Sequence, residues 1–299
     1  MKNYFKYLIS TFILTSLIVS QVTEDMVEFR IGKHNALQLI LMSVDKKLVE
    51  SEWKHYTKAI GKSKKKKNEF ITMGVNLSEL SNPVDWYMKL EKSKKDVLLQ
   101  LCVISNEEFL SSSNQNDNYR VIEKYLEDFV FIVEKAKVRA EYEKERKELT
   151  KLQKELKKLG EDYDSNIKSI EKYTKKIEKA KKENKSLLKT QIKTKDEISK
   201  QGLVVEEILN NPSDSINEGE VSPEYEEANK KLLKLQKKLE KLVDQYEDNL
   251  KSVNKSIKKI EKAKKENKSF LKDQAKTKKK ISEQGLVVEE LRKLLGSMN

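Results

Sequence analysis

An internal duplication constrains the fold of this chain more than any other feature of its sequence. Residues 153–207 align without gaps to residues 236–290, and 37 of the 55 aligned positions are identical. The segment IEKAKKENKS occurs unchanged at 177–186 and at 260–269, an offset of 83 residues. The two copies should therefore form similar structures, although two copies are too few for a solenoid.

Each copy has mostly apolar residues at two positions, a and d, of a continuous seven-residue repeat. Such a period predicts an α-helical coiled coil with left-handed supercoiling. The composition agrees, because 37% of the 299 residues are charged and only eight are glycine and three proline. The a and d positions of the first copy, each with a counterpart 83 residues later, are Leu156, Leu159, Tyr163, Asn166, Ile170, Tyr173, Ile177, Ala180, Asn184, Leu187, Gln191, Thr194, Ile198, Gln201, Val205 and Ile208.

Turn-forming residues separate the two copies. Asn211-Pro212 and Gly219 lie in this stretch together with several serines and aspartates. Two helices joined by a short link are expected to pair antiparallel within one chain. The predicted segments of this hairpin are helix A at 135–209, a linker at 210–223 and helix B at 224–296.

Four asparagines in the predicted core set the expected register of the hairpin. In an antiparallel pair the numbers of facing residues add up to a constant, which the centre of the linker places near 433. Asn184 then faces Asn249, and Asn166 faces Asn267. A buried amide without a hydrogen-bond partner costs roughly 1–3 kcal/mol, so paired asparagines would fix the register. A parallel dimer through each helix would also align asparagine with asparagine.

Residues 21–134 have the alternation of strands and predict a small α/β head domain. A single bent strand over 26–42 fits the pattern as well as two strands do. Ser43 is the expected N-cap of the first helix. The apolar stretch 121–133 is expected to pack on the sheet and to be buried on more than one side. The predicted elements are strands at 26–31, 36–42, 70–75, 84–91 and 96–104 and a helix at about 45–60, with Val84, Trp86, Met88 and Leu90 on one face of their strand.

The predicted fold class is therefore α+β. A small head domain with an antiparallel sheet is followed by a long antiparallel coiled-coil helical hairpin.

Residues 1–20 predict a signal peptide. Lys2 and Lys6 precede the apolar stretch 7–19, which is too short to span a bilayer comfortably. Small or apolar residues at 18 and 20 suit cleavage before Gln21. No cysteine follows the apolar stretch, so we expect an exported protein of the periplasm or envelope that is not a lipoprotein. The alternatives are an uncleaved signal anchor and a buried helix.

The net charge of +13 is concentrated in the helical region. Residues 21–117 carry 15 basic and 14 acidic side chains, and +10 falls on residues 118–299. A basic region of this kind can bind anionic lipid, lipopolysaccharide, peptidoglycan or nucleic acid. Because nucleic acid conflicts with export, we expect an anionic envelope component or a protein partner. The alternative is that the charges only keep the helices soluble.

One compact basic cluster lies in the predicted loop after the 45–60 helix. As a loop it is a candidate anion-contact site, and the alternative is a solvated connector. The cluster consists of Lys62, Lys64, Lys65, Lys66 and Lys67.

No residue pattern indicates catalysis, a metal or a cofactor. His34 and His55 are far apart in sequence, and metal binding would need further ligands at suitable spacing. Cys102 is the single cysteine and lies in an apolar run, so a buried, unreactive thiol is expected. The sequence has no glycine-rich phosphate loop, nucleophile elbow or zinc signature. We therefore predict that the protein is not an enzyme.

Several short segments of the head resemble a family of uncharacterised exported proteins common in Bacteroidetes. The resemblance lies in the signal peptide, in the Lys/Glu-rich coiled coil and in the segments NAL at 35–37, VDKK at 44–47, WK at 53–54 and VDWYMKL at 84–90. It implies the architecture and the compartment, and it brings no activity or site residues. The general plan also looks like the periplasmic holdase chaperones of the Skp type, which are basic exported proteins with helical hairpin arms.

These features lead to two expectations about function. The first is an envelope scaffold or adaptor that acts through contacts with a protein or an anionic envelope component. The alternative is a Skp-like holdase for unfolded outer-membrane proteins, which would need an oligomer.

Overall fold

The computed structural model describes residues 22–211 and 222–298. These residues form two compact units. The first contains residues 22–151 and 281–298, and the second contains residues 152–280. The predicted signal peptide and most of the predicted linker lie outside the described residues.

The structure confirms the α+β fold class, with an antiparallel sheet and a pair of long helices. The strand order is β1-β2-β6-β5-β4-β3, and β7 pairs with β6. The strands are β1 (Thr23–Phe29), β2 (Gly32–Leu41), β3 (Lys62–Lys66), β4 (Glu69–Val75), β5 (Val84–Ser93), β6 (Asp96–Ser105) and β7 (Glu108–Phe109). The helices are α1 (Lys46–Lys58), α2 (Asn116–Asn210) and α3 (Pro223–Ser297).

The region 26–42 forms two strands and not one bent strand. Phe29 of β1 pairs with Gly32 of β2, so Arg30 and Ile31 form a two-residue hairpin turn. Gly32 has a φ of 115°, which a residue with a side chain rarely adopts. The glycine is therefore what lets the chain reverse here.

The predicted N-cap of the first helix is wrong. The side chain of Asp45 caps α1, because it accepts a hydrogen bond of 2.8 Å from the backbone N–H of Lys47. Ser43 instead has a positive φ of 50°, and its N–H donates to the carboxylate of Asp96 at 2.8 Å. Ser43 thus belongs to the turn before the helix.

The head core lies between one face of the sheet and two helices. Trp53 of α1 meets Phe129 of α2 edge to face, with ring centroids 5.0 Å apart. Tyr56 donates to the backbone oxygen of Tyr125 at 3.0 Å and links the same helices. The buried apolar residues of α2 in this core follow a single helical stripe, which consists of Tyr119, Ile122, Leu126, Phe129 and Val133.

The start of α2 packs on the sheet, but it is not buried on several sides. Phe131 is 46% exposed although it lies in the middle of the apolar stretch 121–133. Phe131 lies off the buried stripe. The apolar stretch 121–133 therefore contacts the core along one side of α2, and an apolar residue on another side remains exposed to solvent.

The last turns of α3 belong to the first unit, where they contact α2. Gln284 donates from Nε2 to the backbone oxygen of Glu145 at 3.1 Å. In the second unit Gln201 donates from Nε2 to the backbone oxygen of Ala228 at 3.2 Å. Gln201 is the counterpart of Gln284, and Ala228 is the counterpart of Glu145, each at an offset of 83 residues. The sequence duplication therefore recurs as a repeated contact.

Candidate anion-binding surface

The second unit is built on the predicted heptad frame. Every a and d position from 156 to 208 and from 239 to 277 is buried or half-buried. The most enclosed of them hold small or polar side chains, which lets the two helices approach closely. These residues are Ala180, Asn184, Thr194, Ser256, Ala263, Asn267 and Thr277.

Contacts between α2 and α3 show an antiparallel pair within one chain. Gln191 donates from Nε2 to the backbone oxygen of Leu242 at 2.9 Å. Their residue numbers add up to 433, the predicted value. Asn166 donates from Nδ2 to the carboxylate of Glu266 at 3.2 Å, which is one residue from that register. The parallel arrangement is therefore not the one in the structure.

The four register asparagines differ in their surroundings. Asn184 and Asn267 are buried, whereas Asn166 and Asn249 are half-buried. The Oδ1 atoms of Asn184 and Asn267 accept no hydrogen bond from any described residue. Asn166 bonds to Glu266 and not to an asparagine. The idea that asparagine pairs fix the register thus stays a prediction.

Replacing Asn267 with leucine should stabilise the second unit by about 1–3 kcal/mol, because it removes a buried oxygen without a partner. The half-buried Asn249 provides the control, since Asn249→Leu should change the stability much less. Thermal unfolding followed by circular dichroism measures both. A loss of stability in Asn267→Leu would mean that the amide is satisfied in solution.

A groove shows which heptad positions share one side of the hairpin. Its volume is about 440 Å³. Positions c and g of both helices contribute to it, so these positions lie on the same side. The e positions flank the a/d seam on the opposite side. The groove is lined by Glu183, Ser186, Leu187, Gln245, Asp248 and Asn249.

In two stretches of the second unit, 168–193 and 251–276, lysines occupy almost every c and f position. The stretches 168–193 and 251–276 contain sixteen such positions, of which fourteen hold lysine and two hold serine. All fourteen lysines are exposed. We call these two rows the lysine stripes. They consist of Lys168, Lys172, Lys175, Lys179, Lys182, Lys189 and Lys193 on α2 and of Lys251, Lys255, Lys258, Lys262, Lys265, Lys272 and Lys276 on α3.

Most of the stripe lysines form no close ion pair. Four of the lysines approach a carboxylate of their own helix, at N–O distances of 3.3 to 3.9 Å. The other ten form no ion pair with a described residue. Like charges three or four residues apart on a helix repel one another. Each stripe therefore concentrates positive potential that an external anion would relieve.

The predicted anion-contact loop is a strand. Lys62 to Lys66 form β3, which pairs with β4 and ends the sheet, and Lys67 begins the following turn with a φ of 56°. Lys65 pairs with Glu50 at 2.7 Å and lies 5.0 Å from the centre of the Phe70 ring. Lysines on an edge strand hinder the addition of further strands. The prediction of a loop is thus wrong. The lysines of β3 can instead protect this edge of the sheet from pairing with further strands.

The histidines of the head make local contacts. His34 stacks on Phe109 with ring centroids 3.5 Å apart. Its Nε2 is 2.9 Å from the backbone oxygen of Ile31. His55 Nδ1 is 2.8 Å from the backbone oxygen of Ser51. Within residues 22–211 and 222–298, no three or more His, Cys, Asp or Glu side chains are grouped as metal ligands would be.

The single cysteine is buried in the head. Burial raises the pKa of the Cys102 thiol to about 12. A thiol with this pKa is almost entirely protonated at neutral pH, whereas the nucleophile is the thiolate.

Cys102 should therefore react with an aromatic disulfide reagent at pH 8 at least about 1,000-fold more slowly in the folded protein than in guanidinium. Absorbance of the released thiolate gives the rate. Rapid labelling of the folded protein would contradict this prediction and would show that Cys102 is accessible and reactive.

Comparison with protein-family models finds no match, and neither does comparison with curated proteins. The resemblance to the exported family stays a prediction. Among the described residues, no helix has both the length and the apolar character of a membrane span.

Proposed function

We propose that this protein is a non-enzymatic scaffold of the cell envelope whose helical hairpin binds an anionic surface through the lysine stripes. The observation that supports this is that exposed lysine occupies fourteen of the sixteen c and f positions in the stretches 168–193 and 251–276. A helix that needs only solubility can mix both signs of charge on its outer face. Within 168–193 and 251–276 no c or f position is acidic, and the acidic residues lie at b and g positions.

The chemistry of the stripes suits repeated anionic groups more than a single ligand. A lysine ammonium is a point charge on a flexible stem, and it lacks the planar fork with which arginine binds one phosphate or carboxylate. Each lysine close to an anionic membrane contributes about 1 kcal/mol, and the effect fades within a Debye length. Many such weak contacts add up along an extended surface.

The predicted export limits the partners. Anionic lipid, lipopolysaccharide and peptidoglycan all present phosphate or carboxylate groups at high density. We propose that the head binds a protein partner. A chain with two compact units can therefore join two components of the envelope without any catalytic step.

Sedimentation with three kinds of particle tests the proposal. The purified protein is mixed with phosphatidylglycerol vesicles, with lipopolysaccharide and with peptidoglycan sacculi, and phosphatidylcholine vesicles serve as the neutral control. We expect sedimentation with at least one anionic particle, decreasing steeply with salt, and none with the neutral vesicles. Equal sedimentation with neutral and anionic vesicles, or none with any particle, would exclude the proposal.

One observation favours the holdase as a second candidate. Large apolar side chains are exposed on the hairpin, among them Leu188, Leu250 and Leu271. An unfolded client could contact them while the lysines attract its acidic segments. A holdase should suppress aggregation of an unfolded outer-membrane protein at near-stoichiometric ratios, as measured by light scattering. A protein that fails to do so is not a holdase.

A further inference from the structure

The e positions of the hairpin form a second surface, which differs from the lysine stripes in character. They lie opposite the groove formed by the c and g positions. We call the apolar residues at these e positions the apolar flank. It consists of Ile167, Leu188, Val243, Leu250, Ile257 and Leu271.

We infer that two copies of this chain associate through their apolar flanks and form a four-helix assembly. This inference goes beyond the proposed function and does not depend on it, because the flank lies on the side opposite the groove.

The flank is more apolar than a two-helix coiled coil requires. In a two-stranded coiled coil the e positions usually carry charges, whereas helices of a bundle add an apolar e or g position to the a and d seam. Val243, Leu250 and Ile257 follow one another at successive heptads and are 39%, 41% and 40% exposed. Leu188 and Leu271 are 42% and 51% exposed. The hairpin alone leaves this apolar row in water.

The duplication gives the flank a partial internal two-fold symmetry. Leu188 and Leu271 are equivalent residues of the two copies, and so are Ile167 and Leu250. Val243 and Ile257 have Gly160 and Thr174 as their counterparts, so the two halves of the flank match in part. A surface with this symmetry can meet a second copy of itself in a two-fold dimer, in which both partners use the same patch.

The charges around the flank also favour a second copy over another partner. The chain carries a net charge of +13, so two copies repel each other unless they meet on a face without a basic excess. An acidic partner would be drawn to the lysine stripes. Within 164–188 and 243–271 the e and b positions hold five acidic residues, Asp164, Glu171, Glu178, Glu247 and Glu261, and four lysines, Lys181, Lys185, Lys264 and Lys268.

These mixed charges can pair across a two-fold axis. Lys181 and Lys264, at e positions, are equivalents in the duplication, and each lies three residues after an acidic b position, Glu178 and Glu261. The flank is thus close to neutral and contains both signs of charge.

Light scattering and sedimentation equilibrium of the purified protein test this inference. We expect twice the chain mass at micromolar concentration. The double substitution Leu250→Glu and Ile257→Glu should raise the dimer dissociation constant at least about 100-fold, because it places charges in an apolar contact. Both residues are exposed in the single chain, so the helical circular dichroism signal should be unchanged.

Leu203→Glu is the matched control. Leu203 is 65% exposed and occupies an f position, away from the flank. This variant should remain a dimer. A wild-type monomer at about 100 µM would overturn the inference. So would a flank variant that remains a dimer, or a control that dissociates as readily as the flank variant.

Discussion

Replacing five stripe lysines with glutamine is expected to weaken binding to phosphatidylglycerol vesicles at least about 100-fold, since each lysine near an anionic surface contributes about 1 kcal/mol. The five have no ion pair with a described residue, so their substitution leaves no carboxylate without its partner. Vesicle sedimentation at several salt concentrations measures the affinity and its salt dependence. The five are Lys182, Lys189, Lys258, Lys265 and Lys272.

Five other lysines of the same unit provide a control with the same change in net charge. They occupy b and e positions, and all are exposed. Their substitution should reduce the affinity much less, because they lie outside the stripes. An equal loss in both variants would show that binding follows the net charge and not a particular face. The control residues are Lys157, Lys185, Lys195, Lys268 and Lys278.

The second large effect is expected in the head, where Phe129→Ala should lower the free energy of unfolding by about 3–5 kcal/mol. Phe129 is fully buried and touches the ring of Trp53. Phe131→Ala, only two residues further along α2, should cost less than about 1 kcal/mol because Phe131 is 46% exposed.

Tryptophan fluorescence in a urea titration reports this difference directly. The chain has two tryptophans, Trp53 and Trp86, and both are buried in the head core. The signal therefore follows unfolding of the head and not of the helical hairpin. Equal shifts of the midpoint for the two phenylalanine variants would contradict the packing of α2 on the sheet.

The periodicity of apolar residues in the sequence correctly predicted which face of a strand or helix is buried. The alternation over 84–91 placed Val84, Trp86, Met88 and Leu90 on one face, and all four are buried. The heptad frame likewise identified the a and d positions, which are buried or half-buried in the second unit. In both cases a regular backbone repeats the same environment at a fixed spacing.

Predictions failed where one local signal competed with another. Ser43 and Asp45 are both good N-cap residues, and the pattern does not show which of them the helix uses. The run Lys62 to Lys66 has little preference for a strand, and it forms β3 because β4 pairs with it. In the stretch 121–133 every apolar residue looked buried, but the packing of α2 leaves Phe131 exposed.

The lysine stripes were present in the sequence but were not separated from the other charges. Read in order, a segment such as KKIEKAKKENKS contains both lysine and glutamate and suggests a mixed surface. Only its assignment to heptad positions shows that its c and f positions hold lysine or serine, while its glutamates lie at b and g positions. The lysines at 62 to 67 are easily recognised as a basic cluster because they are adjacent in the chain, whereas stripe residues lie three or four positions apart.

The most direct measurement asks which face of the hairpin touches an anionic surface. Because Cys102 is buried, a cysteine introduced on the surface can be labelled selectively with an environment-sensitive fluorophore. Ser269→Cys places the label at a c position between stripe lysines, and Asn254→Cys places it at a b position; neither removes a charge. We predict that phosphatidylglycerol vesicles shift the emission of the label at 269 to the blue and leave the label at 254 unchanged. Equal shifts at the two positions, or a shift at 254 alone, would contradict the assignment of the lysine stripes as the anion-binding face.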